Sequence, residues 1–409
     1  MMRLQALDAQ VTALLAYARA NRLVALGWIA ALYLAMIFLG IDWSTALRNS
    51  DLSVAPSTVL GRDFANVFTG GHLILDGRLS AIYDLQAYQA YQVSLFDGAV
   101  SGHNYSYGPV SFLYVWLFGL LPYFLAYLLW TGLTGAAFLV AARPYLREAG
   151  LPAWLALLAP AALMNVWAGH YGFLIGALWL GAWHLLDSRP RTAGLLIGLM
   201  IVKPHLAILM PLLLIRRRAW TAFATAALTV AGLVALSLLL FGVQPWVNYL
   251  TKTIGLQAAM VDDVNQFFVS MMPTVAPPLF LAGLPAAIVW PVQIIAAIAA
   301  AAALLFFMPA DPRRAGLAAA CATFLVLPYA FTYDMTAVSI ASLVLLQRAR
   351  PDAGWALSPI GAVLAFVVPV ATVALNQKGI PLAPLMIAYM LAALLAPAQV
   401  RQPVRTASA

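Results

Sequence analysis

The chain has 409 residues, 64% of them hydrophobic and only 9% charged, and its mean hydropathy is +0.90. Apolar runs near the ~20 residues that cross a bilayer recur along its length, continuous rather than alternating, which excludes a transmembrane barrel and leaves a polytopic helical membrane protein. The net charge of +8 would suit nucleic acid, but the basic residues sit in short clusters at the ends of apolar runs, so topology explains them and no nucleic-acid partner is expected.

Residues 1–22, with Arg3, Arg19 and Arg22, read as an amphipathic helix on the cytoplasmic surface. The run 23–40 is longer than a signal-peptide core and no convincing cleavage site follows it, so a retained first span over about 23–41 is expected. A long external loop, about 42–107, comes next and is expected to carry short surface helices. The chain returns through a half-helix after Gly108-Pro109 and a full span from about residue 123, with a break near Pro122. Residues 152–168 and 171–187 read as a hairpin turning outside at Gly169-His170-Tyr171-Gly172.

The segment 192–215 must go in and come back, yet its roughly two dozen residues give only about 18 Å per arm. That is too short for a core of about 30 Å, so a re-entrant pair broken at Lys203-Pro204 is expected. A span over 219–241 leads to a second external loop, about 242–284, and a span over 285–308 returns. The hairpin 315–347 turns outside at the segment Pro328 to Asp334, and a last pair, about 355–375 and 380–397, turns at Asn376 to Gly379. The expected fold is therefore all-α: a single domain, 1–409, built as a polytopic bundle of about twelve membrane helices.

With the basic clusters inside, sixteen of the 22 Lys and Arg are cytoplasmic and nine of the 14 acids external. The single Cys321 lies in an apolar run, which rules out an intramolecular disulfide.

The stretch Gly61 to Asp84 concentrates carboxylates, arginines and aromatics in water, and Asp63 is its foremost candidate for chemistry. The same topology brings Tyr105, Tyr107, His170, Lys203, Asn265, Gln266, Tyr333 and Asp334 to the outer side, which implies an external cavity. Each has a plain alternative: Asp63 and Arg62 as a surface ion pair, His170 as a hairpin cap, Asp334 as the cap of a helix starting at Met335. Lys203 is the harder one to explain structurally, because a lysine in an apolar hairpin costs several kcal/mol unless it snorkels or meets an anion. There is no metal-ligand spacing, Walker loop, dinucleotide glycine motif or nucleophile elbow, so neither a metal nor a cofactor is expected.

The residues Arg62-Asp63-Phe64, Gly70 through Gly77, Ile82-Tyr83-Asp84, Tyr107-Gly108-Pro109, Gly169-His170 after Asn165, Lys203-Pro204, Asn265-Gln266 with Ser270, and Pro328-Tyr329 with Tyr333-Asp334 resemble the motif series of glycosyltransferase family 87. The resemblance implies a GT-C-like membrane glycosyltransferase that takes a sugar, typically mannose, from a polyprenyl-phosphate donor. The family's proposed general base, a first-loop aspartate, falls on Asp63, which makes 42–107 the catalytic loop.

In-line attack by an acceptor hydroxyl would invert the anomeric centre with one base and no covalent intermediate. Lys203, with His170 or Arg62, would face the leaving phosphate; Tyr105, Tyr107, Asn265, Gln266, Tyr333 and Asp334 would contact sugar and acceptor. The expected partners are the lipid-linked donor, a glycolipid or polysaccharide acceptor and membrane lipids, and the expected location is a bacterial inner membrane with the site facing the periplasm. A polyisoprenoid-lipid flippase is the main alternative, and it would spread polar residues through the bilayer and over both faces. A polysaccharide ligase or polymerase would place arginines and a histidine in the loop 242–284, which has neither.

Overall fold

The computed structural model describes residues 61–98, 100, 103–259, 261, 267–350 and 354–397, with residues 12, 13 and 16. The first span expected over 23–41 lies outside the described residues, as do Asn265 and Gln266 and most of the expected helix over 1–22. Among the described residues every regular element is a helix, and no strand is present.

Among the described residues four helices are long and apolar enough to cross a membrane: Tyr123–Glu148, Trp220–Phe241, Ala286–Phe307 and Pro359–Asn376. With 18 to 26 residues they are about 27 to 39 Å long, bracketing the hydrocarbon core. The other apolar helices among the described residues include shorter ones of 10–17 residues.

Prolines account for much of the shortening. The expected span over 152–168 is not one helix: a 3₁₀ turn, Ala153–Leu158, gives way to a separate helix, Pro160–Ala168. Ala159, held extended at ψ 145 ahead of Pro160, breaks the ladder because the proline ring disfavours helical geometry in the residue before it. The hairpin turn after it is as expected, with Gly169 left-handed at φ +66, a helix ending that only glycine adopts without cost.

The break at Lys203-Pro204 is also present. Pro190–Leu199 runs into a 3₁₀ turn, Met200–Val202; Lys203 leaves helical geometry at φ −138, ψ 70, and a second 3₁₀ turn, Pro204–Ala207, leads to Met210–Arg216.

Gly172–Leu185 is the central element, packed by Tyr123–Glu148, Pro190–Leu199, Pro312–Val326 and Thr336–Arg348, and ten of its 14 residues are buried. Small residues make such packing possible, since helices in lipid associate by close contact rather than by the hydrophobic effect. The first-loop helices Phe64–Leu75, Leu79–Ile82 and Leu85–Leu95 are docked on this bundle through the half-helix Phe112–Gly119. At the crossing, a Cβ on Gly71 would stand 2.5 Å from the Val115 carbonyl oxygen, and one on Gly119 would stand 2.8 Å from the Gly71 carbonyl carbon. Backbone meets backbone there, and no other residue fits. Phe64, fully buried among Phe118, Tyr123, Tyr127 and Trp130, pins the start of the same helix; burying such a ring is worth about 1.5–3 kcal/mol.

Candidate active site

Two helix ends meet at the site. The last carbonyls of Pro160–Ala168 would be orphaned at a helix C-terminus. They are taken instead by the first loop: Gly61 N donates to Trp167 O and Asp63 N to Ala168 O, both at 2.9 Å. Tyr123 Oη donates to Gly61 O at 2.8 Å, Tyr127 Oη donates to Val166 O, and Trp130 Nε1 donates to Gly169 O at 2.9 Å. This one junction therefore places both Asp63 and His170.

Asp63 sits at the N-cap of Phe64–Leu75 but makes no capping hydrogen bond. Its carboxylate points into a cavity of about 120 Å³ that Arg62, His103, Tyr107, His170, Lys203 and Tyr333 also line. Such a volume holds several water molecules and is too large for a packing defect. The nearest charged groups are Arg62 Nε and His103 Nε2, both 3.9 Å from Asp63 Oδ1, beyond hydrogen-bond reach. The side chain is 18% exposed, so it is enclosed by protein yet open to the cavity. Burial pushes its carboxyl above the usual carboxylate range, opposed first by Arg62 and then by Lys203. A carboxylate of raised basicity, with no hydrogen bond to its oxygens among the described residues, is suited to taking a proton.

On the opposite wall His170 is nearly buried and stacked on Tyr333, centroids 3.9 Å apart and 23° from parallel. Its Nδ1 accepts from Tyr171 N at 2.8 Å and faces Lys203 Nζ at 3.4 Å. Both neighbours are donors, so Nδ1 keeps its lone pair and Nε2 carries the hydrogen, which points at Tyr107 Oη 3.2 Å away. The Tyr107 hydroxyl proton is thereby left for another acceptor. Burial and the Lys203 charge hold the His170 imidazole well below its ordinary pKa, so it is neutral.

The anion that Lys203 requires is supplied by the chain itself. Lys203 Nζ lies 2.8 and 3.0 Å from the two oxygens of Asp334, whose side chain is fully buried, and 5.2 Å from the centre of the Tyr333 ring. Asp334 does not cap the next helix, which begins after Met335, and it does not line the cavity; its Oδ2 accepts from Phe331 N at 3.4 Å. Asp334, expected at the sugar or acceptor, instead stands behind Lys203 with its carboxylate on the ammonium. Tyr333 is held from behind by Asn165 Nδ2, which donates to Tyr333 O at 2.6 Å.

Tyr105 differs from expectation as well. It faces away from the cavity, its ring closed over Gly70, where a Cβ would stand 2.4 Å from the ring, and its hydroxyl lies 2.7 Å from Ser111 Oγ. It lines a separate cavity of about 180 Å³ with Tyr83, Tyr88, Asn104 and Lys252. Arg62, Asp63, Tyr107, His170, Lys203 and Tyr333 come together; Tyr105 and Asp334 do not reach the same space.

His103 and Asn66, which no sequence motif marks, also line the cavity. Asn66, one turn after Asp63, donates from Nδ2 to Asn104 O at 2.8 Å and accepts from the Tyr88 hydroxyl. His103 has a buried Nδ1 without a hydrogen-bond partner among the described residues, as has Nδ2 of Asn104. Burial and Arg62 hold the His103 imidazole down to about 4, so it too is neutral. The signal available was proximity in sequence: His103-Asn104 immediately precede the Tyr105 to Pro109 motif. With both histidines neutral, the charges of Arg62, Lys203, Asp63 and Asp334 cancel. Among the described residues no group of three or more His, Cys, Asp or Glu is placed to hold a metal ion.

The sequence profile of glycosyltransferase family 87 matches residues 105–328. That range contains Tyr107, His170 and Lys203, while Asp63 precedes it and Asp334 follows it. No curated protein and no solved structure matches the chain.

Proposed function

The chain belongs to glycosyltransferase family 87, and from that premise we propose that it transfers a sugar, mannose in the first instance, from a polyprenyl-phosphate donor to an acceptor hydroxyl within the Asp63 cavity. The observation that carries this reading is the Asp63 carboxylate itself, enclosed, raised in basicity and free of hydrogen bonds among the described residues.

The acceptor oxygen attacks the anomeric carbon as the bond to the phosphate oxygen breaks. Its proton passes to Asp63, and the electron pair of the broken bond leaves on the phosphate. Phosphate is a good enough leaving group to need no dedicated acid, and inversion follows from the single displacement. Arg62, partly exposed beside Asp63, is the cation freest to meet the donor phosphate, because the Lys203 charge is already matched by Asp334. Tyr107 presents a hydroxyl proton to oxygen atoms in the cavity, while the Lys203 ammonium, its protons directed at Asp334 and His170, contributes its charge. His103 and Asn104, whose buried Nδ1 and Nδ2 have no hydrogen-bond partner among the described residues, supply further polar contacts for an acceptor glycan. The carrier chain would stay in the bilayer while its sugar enters the cavity.

The direct test is transfer by purified protein in detergent from synthetic polyprenyl-phosphate mannose to a membrane-lipid extract, with the product anomer read by NMR. Net inversion supports the reading. Net retention, or lipid binding without transfer from any polyprenyl-phosphate sugar, contradicts it.

A further inference from the structure

The chain beyond the Trp220–Phe241 helix lies in an informative position. That helix has 22 residues, about 33 Å, enough to cross the hydrocarbon core, so its ends stand at the membrane interfaces. Gly242, left-handed at φ +77, turns the chain, and helical structure resumes over Gln244–Asn248, a π turn at Tyr249–Thr253, and Ile254–Ala259.

At about 100° per residue the stretch divides into three sectors. Pro245, Tyr249, Thr253 and Gln257 face the protein. Tyr249 and Gln257 line the Asp63 cavity, and Gln257 Nε2 donates to Ser106 O at 3.0 Å. Val243, Val247, Leu250 and Ile254 form a second sector, exposed by 64%, 43%, 55% and 44%. The third sector is polar: Gln244, Thr251 and Lys252 are exposed and Asn248 half-buried, with Gln244 Nε2 donating to Asn248 Oδ1 at 3.1 Å.

An apolar stripe beside a polar stripe, on a helix that starts at interface depth, is the pattern of a helix lying in the plane of a membrane surface. The occupant of the apolar sector follows from continuity. Val243 extends the exposed face of the preceding span, Leu236, Leu239 and Leu240, which a membrane-crossing helix turns to lipid.

We propose that residues 243–259 form an interfacial segment whose sector Val243, Val247, Leu250 and Ile254 rests in the acyl chains, so that one helix thickness separates lipid from the Asp63 cavity. A lipid-linked substrate then reaches the cavity past Tyr249 without leaving the bilayer; this consequence rests on the proposed function, whereas the helix placement does not. The π turn falls at Tyr249, where the wall touches the cavity, and π turns favour functional sites.

Placement is tested on the full chain carrying Cys321→Ala and one added cysteine, Asn248→Cys, Leu250→Cys, Lys252→Cys or Ile254→Cys, spin-labelled in phosphatidylcholine vesicles. Labels at 250 and 254 should relax with oxygen in preference to a water-soluble nickel chelate, and labels at 248 and 252 should show the reverse. Equal access of the chelate to all four would put the helix in solution and overturn the proposal; exclusion of both reagents from 250 and 254 would mean that protein covers the stripe, and would overturn it too. For the entry route, Leu250→Glu should lower transfer from a long-chain donor in vesicles several-fold more than from a short-chain water-soluble analogue. Equal losses would overturn the entry route, while a wild type inactive with both donors would count against the proposed function instead.

Discussion

Removing one member of the Lys203–Asp334 pair should unfold much of the site's support. At 2.8 Å and an effective dielectric constant of about 20, the gross attraction is about 6 kcal/mol. Desolvating both groups offsets most of that, so the intact pair adds little net stability, while an unpartnered buried charge costs about 3–5 kcal/mol. Asp334→Asn leaves the Lys203 ammonium without a counterion, facing only the neutral acceptors His170 Nδ1 and the new amide oxygen, and Lys203→Met leaves the fully buried carboxylate with the Phe331 N–H as its remaining partner among the described residues.

Reversible unfolding in mixed micelles, run as a double-mutant cycle with Lys203→Met and Asp334→Leu, reads the coupling. Each single variant should lose about 3–5 kcal/mol and the double variant less than either. Additive losses, or single losses below about 1 kcal/mol, would show that the two groups do not share a buried contact, and Lys203 would return to being an uncommitted cation.

Three further outcomes follow from the same geometry. The folded state raises the Asp63 pKa, so ionising this group costs stability at neutral pH, a penalty that fades as pH falls through the raised value. Asp63→Asn should therefore raise the melting temperature near pH 7 and lose that advantage in acid; an unchanged or lowered melting temperature at neutral pH contradicts this. Transfer needs the carboxylate form, so kcat/KM should fall with decreasing pH along a limb above the ordinary carboxylate range, and Arg62→Gln, which removes the largest opposing charge, should move that limb higher. A limb that stays put or moves lower in the Arg62 variant refutes the electrostatics. Gly71→Ala, which sets a Cβ 2.5 Å from a backbone oxygen, should destabilise the protein by about 1–3 kcal/mol in thermal unfolding, and a neutral effect would mean the helices can part freely.

Much of this site could be read from sequence because topology and helix chemistry are short-range rules. Pro204 announces the break that sets Lys203 at a helix end, and Gly169 announces the turn that presents His170. Charge placement brought Asp63, Tyr107, His170, Lys203 and Tyr333 to one face, and the structure brings these five to one cavity. What could not be read was pairing at long range. Lys203 and Asp334 stand 131 residues apart, and nothing local distinguishes a lysine awaiting a ligand from one already matched.

Tyr105 and Tyr107 look equivalent in Tyr105-Ser106-Tyr107, yet the first is drawn inward by the bare surface of Gly70, a partner 35 residues away. The segment 152–168 was apolar and of spanning length, and Pro160 was the only sign that its helix would be split. His103 is not legible in the sequence, because an isolated loop histidine carries no periodicity. Only the fold brings it within 3.9 Å of Asp63.

The central claim is that Asp63 takes the acceptor's proton, and single-turnover transfer by purified protein loaded with polyprenyl-phosphate mannose tests it most directly. Asp63→Asn and Asp63→Ala should each slow the transfer step by roughly 10²–10⁴, the range of general-base catalysis, while donor binding, measured separately, changes little. Transfer at the wild-type rate by either variant with an intact fold would contradict the account.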